Sequence, residues 1–221
     1  MILLFHGSGS TAAVMAAYTG LPARAAARGY LVVTPDAINH NWQVSSPVGH
    51  TADLAFVAAL VASMAARFCV DQRRVYAAGF SLGSEFAAIV GCAPAPPIAA
   101  IGLVSAEFLL KPCARQLPVI AFHGTADPAV PYQDGAIGLS LPGVRVRGVE
   151  KNLGDWAALD GCAPAPAIDI PEFAVVRRTW SGCQLGASVV LYSVVRGGHA
   201  WPGPPLDATG RILDFFAAHP G

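Results

Sequence analysis

The sequence predicts an α/β architecture, a mostly parallel sheet with helices on both faces, and three observations predict it. Strand-like and helix-like segments alternate along the chain, the pattern in which helices carry the chain between parallel strands. The runs Ile2-Leu3-Leu4-Phe5 and Arg74-Val75-Tyr76-Ala77-Ala78 are short and largely apolar, as strands covered on both faces are. A Gly-x-Ser-x-Gly turn joins the second run to a segment rich in helix formers, so a strand passes directly into a helix there.

The first strand, 2–5, ends in His6-Gly7-Ser8-Gly9-Ser10. Alanine-rich helical pieces follow at 11–18 and 22–28, then a strand at 30–34 that Pro35 ends. A polar loop over 36–49 holds Asn39, His40, Asn41 and Trp42. Thr51 caps a long helix over 52–68, and Asp53 sits in the first turn, where the helix dipole favours a negative charge. The apolar stretch 54–66 within it is too short to span a bilayer. The strand at 74–78 and its turn lead into a helix at 84–90, which the proline-rich stretch 93–97 ends. Strands at 98–105 and 119–122 and a helix within 143–160 come next. Two strands, 173–180 and 188–195, are joined by a turn around 181–183. A closing helix at 209–218 carries Ile212, Leu213, Phe215 and Phe216 on its apolar side. The Pro/Ala-rich stretches 93–97 and 163–167 read as surface loops. No repeat or linker divides residues 1–221, which read as a single domain.

Hydrophobic residues make up 54% of the 221, ample material for a large core. Lys+Arg and Asp+Glu both number 14, so the formal net charge is zero. That balance argues against a nucleic-acid binder and gives no attraction to an acidic membrane surface. It favours a neutral small-molecule or polymeric substrate, and neither composition nor motif implies a cofactor or a metal. Met1 opens directly into the first strand, with no basic segment and no small-residue cleavage site. No secretion signal is therefore legible, and we expect further sequence upstream.

The centre of the reading is Gly79-Phe80-Ser81-Leu82-Gly83. A turn this tight between strand and helix leaves no room for a Cβ on either side of the serine, and Gly79 and Gly83 supply that room. It presents the Ser81 hydroxyl at the carboxyl end of the strand. It also aims the Leu82 N–H, at a helix N-terminus, toward an oxyanion forming on a substrate carbonyl.

A serine nucleophile needs a base, and on an elbow of this kind the acid and then the histidine follow it in the chain. That order removes His6, His40 and His50. His123 supports a turn before Gly124, and His219 lies close to the C-terminus. His199 remains, in Gly197-Gly198-His199-Ala200-Trp201-Pro202-Gly203, directly after the last strand. Asp127, in His123-Gly124-Thr125-Ala126-Asp127-Pro128, follows a strand end and is the candidate acid; Asp134 is the second choice, ahead of Asp155, Asp160 and Asp169. The second oxyanion donor is expected in the loop after the first strand, from the N–H of Ser8 or, next, of Gly9.

Four stretches carry a resemblance to a known family. They are His6-Gly7-Ser8-Gly9, Arg74-Val75-Tyr76 leading into the elbow, His123 to Pro128, and Gly198-His199-Ala200-Trp201-Pro202-Gly203. In this order the chain resembles the α/β-hydrolases that unite polyhydroxybutyrate depolymerases with feruloyl and acetylxylan esterases of carbohydrate esterase family 1. The resemblance implies an α/β-hydrolase fold lacking the usual N-terminal strands. It implies Ser81 as nucleophile, Asp127 as acid and His199 as base. It further implies a serine esterase acting through an acyl-enzyme on feruloyl or acetyl carbohydrate esters or on polyhydroxyalkanoate-type esters. A peptidase on the same triad and a non-catalytic binding protein are the alternatives. The family often has a small residue after the nucleophile, so Leu82 is expected to narrow the acyl pocket. Trp42, Phe80, Tyr132 and Trp201 are aromatic candidates for lining that pocket, and would serve equally as packing residues.

The five cysteines form no C-x-x-C pair, which disfavours zinc and thioredoxin-like chemistry. Cys92 ends the elbow helix and Cys113 follows the next strand; Cys162 follows a helix and Cys183 lies in a turn between strands. Bridges Cys92–Cys113 and Cys162–Cys183 are expected, with Cys69 left over. Such bridges belong to an oxidising compartment, periplasmic or extracellular, whereas five buried free thiols would suit the cytosol.

Overall fold

A computed structural model describes residues 1–44, 51–109, 113, 115–137 and 144–221. Its strands are β1 (Ile2–Phe5), β2 (Val32–Val33), β3 (Tyr76–Phe80), β4 (Ala100–Val104), β5 (Val119–Gly124), β6 (Gly135–Ala136), β7 (Arg145–Val146), β8 (Ala167–Glu172), β9 (Val175–Trp180) and β10 (Val189–Val194). Its helices are α1 (Ala12–Thr19), α2 (Leu21–Ala26), α3 (Ala52–Arg67), α4 (Leu82–Cys92), α5 (Val149–Leu159) and α6 (Ala208–Ala218).

The main sheet has the order β2-β1-β3-β4-β5-β10-β9-β8. From β2 to β10 every neighbour is parallel; β9 and β8 are added antiparallel. This is the mostly parallel α/β-hydrolase sheet expected from the sequence. The physical cause is visible in β1, whose four residues are all buried. Leu3 and Phe5 enter a core with Val57 of α3, Phe86 of α4 and Trp156 of α5. Ile2 and Leu4 enter a second core with Met15 of α1, Leu21 of α2 and Phe216 of α6. Side chains alternate across a strand, so an apolar run with no polar alternation needs a helical layer on each side.

Local signals place the ends of elements well. Thr51 Oγ1 accepts from the Leu54 N–H at 3.2 Å, so α3 starts where its cap does. The surface loop read at 163–167 holds through Pro166, and the stretch that follows it has no strand reading in the sequence. That stretch forms β8 on the sheet edge, with Ile168 and Ile170 exposed and Asp169 paired to Arg177 at 2.5 Å. A strand in contact with one neighbour and no covering layer lacks the apolar run that marks the others. No helix among the described residues is long and apolar enough to cross a membrane. Cys92 is bridged to Cys113 and Cys162 to Cys183, with Cα separations of 4.9 and 3.7 Å, and Cys69 is an exposed free thiol.

Candidate active site

The elbow forms as its glycines require. Ser81 sits at φ 55°, ψ −124°, between the end of β3 and the start of α4. A non-glycine residue in that region of backbone space is strained and persists only where its surroundings enforce it. They do so here by crowding. A Cβ on Gly79 would lie 2.0 Å from the Gly83 carbonyl oxygen, and one on Gly83 would lie 2.3 Å from the Phe5 oxygen. The Ser81 N–H is anchored to the Val104 carbonyl of β4 at 2.8 Å. The hydroxyl is thus held at the carboxyl edge of the sheet by three strands.

Two further loops leave that same edge. Asp127 follows β5, and His199 follows β10. His199 Nδ1 donates to Asp127 Oδ2 at 2.7 Å. The other carboxylate oxygen, Oδ1, accepts from the N–H groups of Ala129 and Val130 at 2.8 and 2.9 Å. Burial alone would raise the Asp127 pKa. Donors from His123, His199 and the Val130 N–H outweigh it and hold this carboxyl well below the usual carboxylate range. With Nδ1 committed as a donor, the free Nε2 of a neutral His199 is a proton acceptor. The His199 ring rests 4.9 Å from that of Phe80, the neighbour of Ser81.

Ser81 and His199 line one cleft of about 280 Å³ with Gly7, Ser8 and Ser10, and with Val14, Met15, Tyr18 and Phe80. Among the described residues, neither the Leu82 nor the Ser8 N–H donates to another protein group. The Gly9 N–H does, to the His40 carbonyl at 2.9 Å, which removes it as the alternative oxyanion donor. Ser8 is fixed through its side chain, whose Oγ donates to Asn41 Oδ1 at 2.5 Å. A larger groove of about 440 Å³ lies between α3 and Pro96–Pro97, but no titratable side chain lines it. The small cleft is the one lined by Ser81 and His199.

Of the four aromatic candidates only Phe80 reaches the cleft. Trp42 is a core residue, stacked on Phe86 at 4.6 Å, with its indole N–H on the His6 carbonyl. Tyr132 is buried, its hydroxyl held by Ser193 and Glu150. Trp201 is buried in the second core, its indole N–H donated to Thr209. Each ring hides apolar area and has its polar atom satisfied, the usual condition for burying Trp or Tyr. Leu82 also turns away from the cleft and packs on the first core, so it does not narrow the pocket. The residues missing from the sequence reading are Val14, Met15 and Tyr18 of α1. They show no motif; only the docking of α1 beside the elbow brings them in.

Apart from His123, which touches Asp127, the rival histidines and aspartates make other contacts. His6 is buried, and its Nε2 accepts the Ala37 N–H at 3.1 Å. His40 contacts the Ser10 carbonyl, and His219 contacts Ser188 Oγ and the Phe215 carbonyl. His50 lies outside the described residues. Asp134 pairs with Lys151, Asp155 with Arg147 and Asp169 with Arg177. Asp160 is buried where β5 begins, accepting the Leu117 N–H at 2.8 Å, at the opposite end of the sheet.

Known proteins are similar to this chain. The chain is 30% identical over 169 residues to "Feruloyl esterase B" of Piromyces equi, covering 72% of this chain and 31% of that protein. It is 30% identical over 212 residues to "Feruloyl esterase C" of Emericella nidulans, covering 90% and 68%. The chain thus spans about a third to two thirds of these relatives. Among solved structures, "Acetyl xylan esterase from Aspergillus awamori" superposes with a TM-score of 0.70, covering 98% of this chain and 88% of that one, at 14% identity. That likeness is one of fold. The family described as Esterase PHB depolymerase matches residues 1–150, a span that takes in the His6 loop, the elbow and the Asp127 loop, and to that family this chain belongs.

Proposed function

We propose that this chain is a serine carboxylic-ester hydrolase. Ser81 is the nucleophile, His199 the general base and Asp127 the acid that orients it. The observation that carries the reading is the 2.7 Å bond from His199 Nδ1 to Asp127 Oδ2, with His199 and Ser81 on one cleft.

His199 Nε2 takes the Ser81 proton as Oγ attacks the ester carbonyl. The negative charge that develops on the carbonyl oxygen meets the N–H groups of Leu82 and Ser8, the latter on the loop after β1. Collapse of the tetrahedral species breaks the ester bond, and His199 returns the proton to the leaving alcohol. Water then enters, gives its proton to His199 and attacks the acyl-enzyme; as the bond from the acyl carbon to Ser81 Oγ breaks, His199 returns the proton to Oγ and the acid leaves.

The substrates we propose are feruloyl or acetyl carbohydrate esters, or polyhydroxyalkanoate-type esters. The acyl side of the cleft is apolar, with Val14, Met15 and Phe80, and suits an aromatic or short acyl group. The names of the relatives point the same way. The two bridges support work in an oxidising compartment, periplasmic or extracellular.

The test is Ser81→Ala. Hydrolysis should fall by several orders of magnitude in a variant that stays folded, and fluorophosphonate labelling should vanish with it. Near wild-type activity in the folded variant would remove Ser81 from its role. A panel of methyl ferulate, acetylated xylan and a hydroxybutyrate oligomer then selects the acyl class. Preference for peptide anilides over p-nitrophenyl acetate would shift the reading to a peptidase.

A further inference from the structure

Behind the acid lies a second buried pair that the triad does not include. Glu107 follows β4, and His123 stands near the end of β5. His123 Nδ1 lies 2.8 and 3.0 Å from the two Glu107 carboxylate oxygens. Its Nε2 lies 2.9 Å from the Val130 carbonyl and 3.3 Å from Asp127 Oδ2, the same oxygen that accepts from His199. The side chains of Glu107, His123 and Asp127 are 1%, 0% and 0% exposed.

We propose that Glu107 and His123 are positioning residues of the triad: a carboxylate–imidazolium pair that fixes Asp127 from behind and sets the charge against which His199 titrates. This rests on the triad reading above.

The proton positions follow from the contacts. Neither the Val130 carbonyl nor an ionised Asp127 carries a proton, so His123 Nε2 must donate. A bare Nδ1 lone pair would then face two carboxylate oxygens, so Nδ1 carries a proton as well, and His123 is an imidazolium. Burial disfavours that charge, but Glu107, with Asp127, reverses the effect and lifts the pKa to about 10. The loop that carries Glu107 is tied down twice. Ser84 Oγ donates to the Ala106 carbonyl at 2.5 Å, and Trp156 Nε1 donates to the Glu107 carbonyl at 3.1 Å.

The other groups facing His123 leave this balance intact. Tyr132 meets it edge-on at 5.9 Å, and burial pushes its phenol up to about 12, so it is neutral. Beyond Tyr132, Glu150 of α5 and Arg178 of β9 cancel one another at 2.8 Å. Glu107, His123 and Asp127 thus sum to one negative charge beside a neutral His199. When His199 takes the Ser81 proton, the four groups sum to zero. A buried ion pair adds little stability over an apolar pair of the same volume. Its consequence here is that Asp127 is held by four contacts without presenting excess negative charge.

Two variants displace the charge in opposite directions. Glu107→Gln removes a negative charge while its amide oxygen still accepts the Nδ1 proton and Asp127 and the Val130 carbonyl still accept the Nε2 proton. The acid limb of kcat/KM should move to lower pH by roughly half to one unit. His123→Gln keeps an N–H toward Val130 but removes the positive charge, so the limb should move to higher pH by a similar amount. Glu107→Asp should return it toward wild type. A limb that stays put in Glu107→Gln, or moves the same way in both variants, overturns the proposal, because a merely structural role lowers kcat without opposite displacements. A second measurement needs neither variant to fold nor any activity. In Ser81→Ala, nitrogen-15 spectra near pH 8, where an ordinary imidazole is neutral, should show one imidazole with both nitrogens protonated. Neutral rings throughout would also overturn it. Failure of the triad reading would appear instead as full activity in Ser81→Ala, with the spectra unchanged.

Discussion

At the carboxyl end of the sheet Asp127 is surrounded by donors; at the amino end Asp160 has one. Both are buried aspartates. Asp127 takes hydrogen bonds from His199 and two backbone N–H groups, with His123 at 3.3 Å, and stays ionised. Asp160 accepts the Leu117 N–H through Oδ1, its Oδ2 has no partner among the described residues, and burial lifts its carboxyl to about 6. Burial is common to both, so the supply of donors decides which carboxyl is pushed down and which is pushed up. The division extends further. The carboxyl end holds Ser81, Asp127 and His199, the proposed triad. The amino end holds the bridged ends of helices, since α4 runs back from Ser81 to Cys92 and the Cys162 bridge lies beside Asp160. One end carries the proposed triad, the other the two bridges.

The largest effect expected is at Asp127. Asp127→Asn should leave the fold in place, favour the wrong His199 tautomer and lower kcat by about 10⁴, by analogy with serine proteases. Asp134→Asn, on an exposed loop paired with Lys151, should leave kcat near wild type. A steady-state comparison of the two would break the assignment if their effects were exchanged.

At the other end the expected effect is on stability. Each bridge closes a loop of 21 residues in sequence separation. Loss of one costs roughly 3 kcal/mol in the chain-entropy model. Cys162→Ser with Cys183→Ser should therefore lower the urea midpoint, while kcat of the folded fraction stays unchanged. A fall in kcat without a fall in midpoint would erase the distinction between the two ends.

Asp160 sharpens it. A carboxyl whose pKa is raised on folding stabilises the protein while protonated and loses that contribution as pH rises through the folded value. Stability should thus decline between about pH 4 and pH 6, by on the order of 2 kcal/mol. Asp160→Asn should flatten that decline in urea titrations across the window. An unchanged slope would show that Asp160 is ionised at little cost.

The smallest effect returns to the carboxyl end. Tyr18 Oη accepts the Trp201 N–H at 2.8 Å, two residues after His199. Tyr18→Phe leaves that N–H without its acceptor, worth about 1 kcal/mol, and kcat should fall several-fold with the midpoint little changed. A loss confined to stability would place Tyr18 with the packing residues.

Some of this is legible in the sequence alone. The strand, elbow and helix at 74–90 are written locally, since only glycine fits at 79 and 83 and the pattern occupies consecutive residues. The loops of Asp127 and His199 follow from their places at strand ends, because parallel strands deliver all such loops to one edge. The cysteine pairing could be read from the ends of the elements that carry the cysteines. Tertiary packing decided the rest. Trp42, Tyr132 and Trp201 look like pocket residues by type and became core, because helices cover both faces of the sheet and a large ring near a covered strand is enclosed. Tyr18 joined the cleft through a contact 183 residues away in sequence. His123 reads as a turn histidine; only the pairing of β4 with β5 brings the buried Glu107 within 2.8 Å of it. Sequence sets what depends on neighbours along the chain, while the state of a buried charge depends on which groups the fold places around it.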